Sequence, residues 1–231
     1  MDHLLIIGAS RGLGLALVAE ALGSDCRVTA VVRGRAPLLD PFEHLHGSRL
    51  VILTADVRSE AALAAAASQL DQHPKVDTLV YNAAIHLERD RSDLTIANPD
   101  DILEMLDTNA VGALRSVKHF GRSLARDAQV VLISSEAGSI ADAGRQSEYG
   151  YCMSKAALNM FAKLLANRER GRGSQIQIHS VHPGWMRTDM GGPNAHISAE
   201  EAAVAIMKTL RSCKGKPCPI FIDRLGEPLA W

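Results

Sequence analysis

Short β-branched apolar runs alternate with longer Ala- and Leu-rich stretches along this chain, and that alternation restricts its fold more than any other feature. The runs Leu4–Ile7, Val28–Val32, Leu50–Leu53, Thr78–Tyr81, Val130–Ile133, Ile176–Val181 and Ile220–Ile222 are nearly continuous in apolar side chains, as strands covered on both faces must be. Helices are expected between them at Gly12–Gly23, Pro37–Leu45, Ser59–Leu70, Pro99–Arg126, Glu148–Arg170 and Ser198–Arg211. Asn98 before Pro99, and Ser198 three residues before Glu201, are helix-start signals. Such a series builds a parallel sheet with helices on both faces, here a seven-stranded α/β sandwich of three layers. The 231 residues would permit one large or two small domains. No stretch reads as a linker and none repeats another, so a single domain over 1–231 is expected.

Aromatic residues make up only 4% of the chain, so the core must come from Ala, Leu, Val and Ile. Twenty-five Lys and Arg against 26 Asp and Glu leave a formal charge of −1, without the basic excess that phosphate neutralisation needs, so nucleic acid is excluded as a partner. No apolar run reaches the roughly 18 to 20 residues of a membrane span, and no membrane partner is expected. The start Met1-Asp2-His3 has no basic segment and no cleavage site follows the next apolar run, which makes the cytoplasm the expected location. Cys26, Cys152, Cys213 and Cys218 lack the partners of a zinc site, and the nine histidines form no metal pattern. The cysteines read as reduced packing residues, and no metal is expected.

After the first strand the chain reads Gly8-Ala9-Ser10-Arg11-Gly12-Leu13-Gly14 and then continues as an amphipathic helix. A strand, a glycine turn and a helix start in that order suit a pyrophosphate: glycine permits unusual φ and close backbone approach, and the free N–H groups of the helix start favour negative charge. The second strand of a dinucleotide fold usually ends near an acid for the ribose hydroxyls. Here that place holds Val32-Arg33-Gly34-Arg35. Arg33 can pair with a 2′-phosphate that an acid would repel, and Arg11 adds a second cation, so NADP(H) is favoured over NAD(H). Arg35 reads equally well as a phosphate ligand or a solvated loop charge. The irregular stretches Ala137–Ser147 and Thr188–Ile197 each follow the carboxyl end of a strand, where ligands of open α/β sheets bind.

Tyr151 and Lys155 stand four apart in the fifth long helix and share a face. A neighbouring ammonium favours the phenolate, so Lys155 is expected to lower the Tyr151 pKa and bring it toward a working range for proton transfer. Tyr149 is rotated away by about 240° and points elsewhere.

Jointly and in order, these residues resemble the short-chain dehydrogenase/reductase family of the small single-domain kind, over the whole chain. The family's glycine motif corresponds to Gly8, Gly12 and Gly14, with Ser10, Arg11 and Leu13 inside the turn. Its acid after the third strand corresponds to Asp56, followed by Val57, and its Asn-Ala-Ala/Gly motif to Asn82, Ala83 and Ala84. Its helix asparagine matches Asn109, its serine Ser135, its Tyr-x-x-x-Lys pair Tyr151 and Lys155, and its Pro-Gly motif Pro183 and Gly184 with Met186 and Thr188. The segments Ser134–Ile140, Met153–Asn159 and His182–Gly192, with Trp231, are similar to Sniffer-like carbonyl reductases and C-factor-related proteins. Ser135 precedes Tyr151 by sixteen residues, further than in many members, which keeps Ser134 and Ser139 open as alternatives.

The resemblance implies a Rossmann-type, doubly wound fold and an oxidoreductase that reduces a small ketone or aldehyde to an alcohol with NADPH. It gives Tyr151 the role of general acid, Ser135 a hydrogen bond to the substrate oxygen, Lys155 the nicotinamide ribose, and Asn109 a water linked to Lys155. Asp56 and Val57 would serve the adenine, Thr188 and Met186 the carboxamide end, and the loop near 188–197 the substrate. Members often form homodimers or homotetramers through two long helices, here Pro99–Arg126 and Glu148–Arg170. Two other readings stay open: an alcohol dehydrogenase working mainly as an oxidant, and a C-factor-like, cofactor-binding signalling or regulatory protein with little turnover.

Overall fold

A computed structural model of the chain describes residues 2–88 and 93–231; Met1 and residues 89–92, all inside the expected domain, lie outside the described residues. The described strands are β1 (His3–Ile7), β2 (Arg27–Val32), β3 (Leu50–Thr54), β4 (Val76–Tyr81), β5 (Leu124–Ile133), β6 (Gln177–His182), β7 (Met186–Arg187), β8 (Ile197–Ser198) and β9 (Phe221–Asp223). Seven form one parallel sheet in the order β3-β2-β1-β4-β5-β6-β9, and β7 pairs with β8 apart from it. Helices α1 (Gly12–Gly23), α2 (Asp40–His46), α3 (Glu60–Leu70), α4 (Pro99–Leu106), α5 (Gly112–Phe120), α6 (Tyr149–Gly171) and α7 (Ala199–Cys213) cover it.

Strand alternation explains the three layers. Leu4 and Ile6 of β1 join a core with Leu17 and Val18 of α1 and Ile206, Met207 and Leu210 of α7. Leu5 and Ile7 turn to the other face, among Leu63 of α3, Ala113 and Phe120 of α5 and Leu158 of α6. Every side chain of β1 is buried, which is why the strand reads as an unbroken apolar run. The order reverses between β1 and β4, so the chain leaves these strands toward opposite sides and opens a crevice at their carboxyl ends. Both expected caps form: Asn98 Oδ1 accepts from the Asp100 N–H at 3.1 Å, and Ser198 and Glu201 make a reciprocal capping box.

Two expectations need correction. The helix expected over Pro99–Arg126 is α4, a wide π turn at Asp107–Val111, α5 and a short 3₁₀ turn at Gly121–Ser123, after which Leu124 already opens β5. Leu124, Ala125 and Arg126 are good helix formers, but pairing of Leu124 with Val76 overrides that preference. Cys213 and Cys218 are joined in a disulfide rather than reduced, because the turn after α7 returns the chain to a Cα separation of 5.7 Å. Cys26 and Cys152 are free.

Candidate active site

A cleft of about 1100 Å³ opens above the carboxyl ends of β1 and β4. Of the residues expected from sequence, Gly8, Ser10, Arg11, Gly12, Leu13, Arg33, Asp56, Val57, Asn82, Ala83, Ala84, Tyr151, Lys155, Pro183, Met186 and Thr188 line it. Gly14, Gly184, Asn109, Ser135 and Arg35 are not among its lining residues, whereas Ser134 is.

The glycine end is fixed by space. Gly8 has φ of +85°, and a Cβ there would lie 2.7 Å from the Ala83 backbone. At Gly14 a Cβ would lie 2.1 Å from the Gly8 carbonyl oxygen and 2.7 Å from Asn82 Nδ2, so any side chain would displace the turn. Asn82 closes this packing by donating to the Gly8 carbonyl at 2.8 Å. Arg11 is the N-cap residue of α1 but provides no side-chain cap. Its guanidinium instead pairs with Asp189 at 2.7 Å, with both side chains exposed. The residues fit a dinucleotide: side-chain-free backbone at the turn, uncapped N–H groups at the start of α1, and the exposed Arg33 beyond the end of β2.

Asp56 does not face this space with free oxygens. Arg58 donates to it from its backbone N–H at 2.9 Å and its guanidinium at 3.1 Å, and Arg58 also pairs with Glu104 at 2.9 Å. The Arg58 hydrogen bonds, aided by the charge of Arg33, hold the Asp56 carboxyl below the usual carboxylate range.

At the other end, α6 presents Tyr151 and Lys155 on one face. Ser135 stands close enough to the Tyr151 phenol to favour its ionised form, and its own hydroxyl accepts from the Ala137 N–H at 3.1 Å. The alternatives separate on geometry: Ser134 donates to Asn159 at 2.7 Å within a buried network, and Ser139 accepts from the Asp142 N–H at 3.1 Å. Lys155 is buried; its ammonium donates to the Ile133 carbonyl at 2.9 Å and lies 5.6 Å from the centre of the Tyr151 ring. The expected lowering of the Tyr151 pKa is overturned. Burial is the largest influence and pushes the phenol up to about 12, while Ser135 works against it. Burial likewise pushes the Lys155 ammonium down to about 8. Tyr151 is therefore a phenol at neutral pH, the form that donates a proton.

Asn109 sits in the π turn, fully buried. Its amide donates to the Ile85 carbonyl and to Ser154 Oγ, each at 2.9 Å, and its oxygen accepts from the Ile85 N–H at 2.8 Å. Both side-chain donors are occupied, so a water at this side chain would find an acceptor only.

Four residues of the site escaped the sequence reading. Arg58 carried a signal, an acid two residues before it as in an Asx turn. Asp189, which holds Arg11, and His86, whose ring lies 4.5 Å from that of Tyr151, had none that separates them from loop residues. Glu88 had none either, yet its buried carboxylate accepts from the backbone N–H groups of Gly150 and Tyr151 at 3.0 and 2.9 Å.

A seven-stranded parallel sheet with a glycine turn at its switch point and a Tyr–Lys helix beside it defines the short-chain dehydrogenases, and the chain belongs to that family, whose sequence model matches residues 2–197. It is thus a member of an oxidoreductase family that uses nicotinamide cofactors and acts on small molecules. A Burkholderia multivorans protein of the short-chain dehydrogenase/reductase class, solved with bound NADP, is 32% identical with a TM-score of 0.91 over 100% of this chain and 99% of its own. The carbonyl reductase Sniffer of Drosophila melanogaster is 28% identical, also with a TM-score of 0.91, over 100% of both chains. The C-signal protein of Myxococcus xanthus is 31% identical over 162 residues, 68% of this chain and 93% of its own. No helix among the described residues is long and apolar enough to cross a membrane.

Proposed function

We propose that the chain is an NADPH-dependent reductase of small ketones or aldehydes, folded as one domain, with Tyr151 as general acid. The observation that carries this reading is Tyr151 on the wall of a dinucleotide-sized cleft, with the buried Lys155 ammonium 5.6 Å from its ring and the glycine turn at the cleft's other end. When bound, the cofactor would supply a hydride to the carbonyl carbon. The substrate oxygen would lie between the Ser135 and Tyr151 hydroxyls, where Ser135 donates a hydrogen bond to the growing negative charge and Tyr151 delivers the proton. Lys155, fixed by the Ile133 carbonyl, would reach the nicotinamide ribose. Asn109 would hold the β4 loop and α6 in register.

Gly8, Ser10, Gly12, Leu13 and Gly14 would form the pyrophosphate cradle, with Asn82, Ala83 and Ala84 as its floor. Asp56 and Val57 would flank the adenine, and Pro183, Gly184, Met186 and Thr188 would border the nicotinamide. Arg33, helped by Arg11 once it leaves Asp189, would pair with a 2′-phosphate. The loop near 188–197 would contact the substrate. Exposed Leu114 of α5 and Met160 and Leu164 of α6 support assembly into a homodimer or homotetramer through these helices. A light-scattering mass of one subunit would contradict that assembly.

The test is NADPH oxidation at 340 nm with a panel of ketones, aldehydes and quinones, with Tyr151→Phe as control. Turnover by the wild type and none by the variant is the expected result, and full activity of the variant sinks the acid assignment. The identity with C-signal favours one second reading, a cofactor-binding signalling protein with little turnover. It gains if NADPH binds and no carbonyl is reduced.

A further inference from the structure

We propose that Glu88 is a positioning residue for Tyr151, setting the height of the acid above the cleft through the backbone that carries it; this rests on the reading of Tyr151 as general acid. Helix α6 starts without a cap of its own. Its N-cap residue, Glu148, has φ of +62° and gives no side-chain bond to the first turn. Its carboxylate turns outward to Arg145 and lies 3.3 Å from His86 Nε2. The N–H groups left over at a helix start need acceptors, and a negative charge there also meets the positive end of the helix dipole. Glu88 meets both needs from 62 residues upstream, with one carboxylate oxygen on Gly150 and the other on Tyr151 itself.

The bond is directed at the acid and not only at the helix. The segment from Asn82 to Glu88 is anchored along its length: Asn82 to the Gly8 and Ile7 carbonyls, Ile85 to the Asn109 side chain, Leu87 to Met105 Sδ, and Glu88 to the Tyr151 N–H. It spans the site from the glycine turn, where the cofactor would lie, to the backbone of the proton donor. On its other side this first turn packs closely on α4, since a Cβ at Gly150 would lie 2.5 Å from Met105 Cε and 2.8 Å from Ile102 Cγ1. With Glu88 shortened, α6 keeps its packing through Leu158, Ala162 and Leu165 and its ties through Ser154 and Glu148, and the Gly150 and Tyr151 N–H groups lose their acceptor. Misplacement of a reacting group by about 1 Å can cost on the order of a hundredfold in rate.

The experiment compares full-length Glu88→Ala and Glu88→Gln with wild type by amide hydrogen exchange, NADPH binding and single-turnover hydride transfer from 4-deuterated and ordinary NADPH. In Glu88→Ala, the Gly150 and Tyr151 amides should exchange at least about tenfold faster while Leu158–Leu165 stay protected. Hydride transfer should slow by about ten- to a hundredfold with the NADPH Kd unchanged. Glu88→Gln, which keeps one acceptor oxygen, should recover part of both. Exchange at the two amides equal to wild type overturns the proposal, as does hydride transfer within about twofold of wild type in Glu88→Ala. Loss of protection throughout α6 also overturns it, since Glu88 would then be a general stability residue. Tyr151→Phe is run in parallel: a fully active Tyr151→Phe removes the acid reading, whereas an inactive one beside an unaffected Glu88→Ala removes only this proposal.

Discussion

The two ends of the cleft are held by opposite means. At the glycine end the main constraint is exclusion: Cβ atoms added at Gly8 and Gly14 would fall 2.1 to 2.7 Å from backbone or from Asn82, alongside the Asn82 bond to Gly8 and the exposed Arg11–Asp189 pair. At the tyrosine end the constraint is attraction across the chain, with Glu88, Asn109 and the Ile133 carbonyl bonding to α6 from three other segments. A site held by exclusion fails when atoms are added, and one held by polar contacts fails when they are removed.

Tyr151→Phe probes that contrast with the largest effect. It removes one oxygen atom, and kcat for carbonyl reduction should fall by about a hundred- to ten-thousandfold while fluorescence-titrated NADPH affinity stays within about twofold. Equal losses in both would mean that the two ends are not separable. Gly14→Ala makes the converse change by adding one carbon. With no room at 2.1 Å it should destabilise the fold by about 1–3 kcal/mol, read as a lower Tm, and weaken cofactor binding. Gly23→Ala in the same helix meets nothing within 4 Å and should leave Tm unchanged or higher. Arg33→Asp tests charge at the glycine end: the ratio of kcat/KM for NADPH over NADH should fall by about tenfold or more, and an unchanged ratio removes Arg33 from the phosphate site.

The smallest effect expected is an absence of signal. Tyr149→Phe leaves Tyr81 and Tyr151, both pushed upward by burial, Tyr151 to about 12. A raised phenol holds its proton in the fold after the unfolded chain has released it, so stability is lost as pH rises between about 10 and 12 and is unaffected below. Absorbance of this variant at 295 nm should stay flat to about pH 11. A tyrosinate step near pH 8 would show that the Lys155 charge outweighs burial after all.

The same contrast governs what could be read from sequence. The turn at Gly8, Gly12 and Gly14 and the seven strand runs were visible as spacing and apolar continuity, although Ala83 and Asn82, which help exclude side chains there, lie far along the chain. Tyr151 and Lys155 were visible because a helix repeats every four residues or so. Glu88 was not, because nothing near it in the chain marks a carboxylate whose partners lie 62 and 63 residues away. The direction of the Tyr151 shift was missed for a related reason: sequence shows the neighbouring charge but not the depth of burial that outweighs it. The start of β5 was hidden by residues that favour helix, and the Cys213–Cys218 bond by a gap equally suited to an ordinary turn.

The π turn at Asp107–Val111 has a consequence for length rather than composition. A π turn closes its ring one residue later than a regular helix, so it amounts to a single-residue insertion. Removing one residue there would restore regular helix with α4 and α5 still nearly in phase, because five residues of π turn and four of α-helix each make about one full rotation. What would be lost is the local widening that carries Asn109, with its bonds to Ile85 and Ser154. The extra residue thus places one side chain in the site without turning the helices on either side of it.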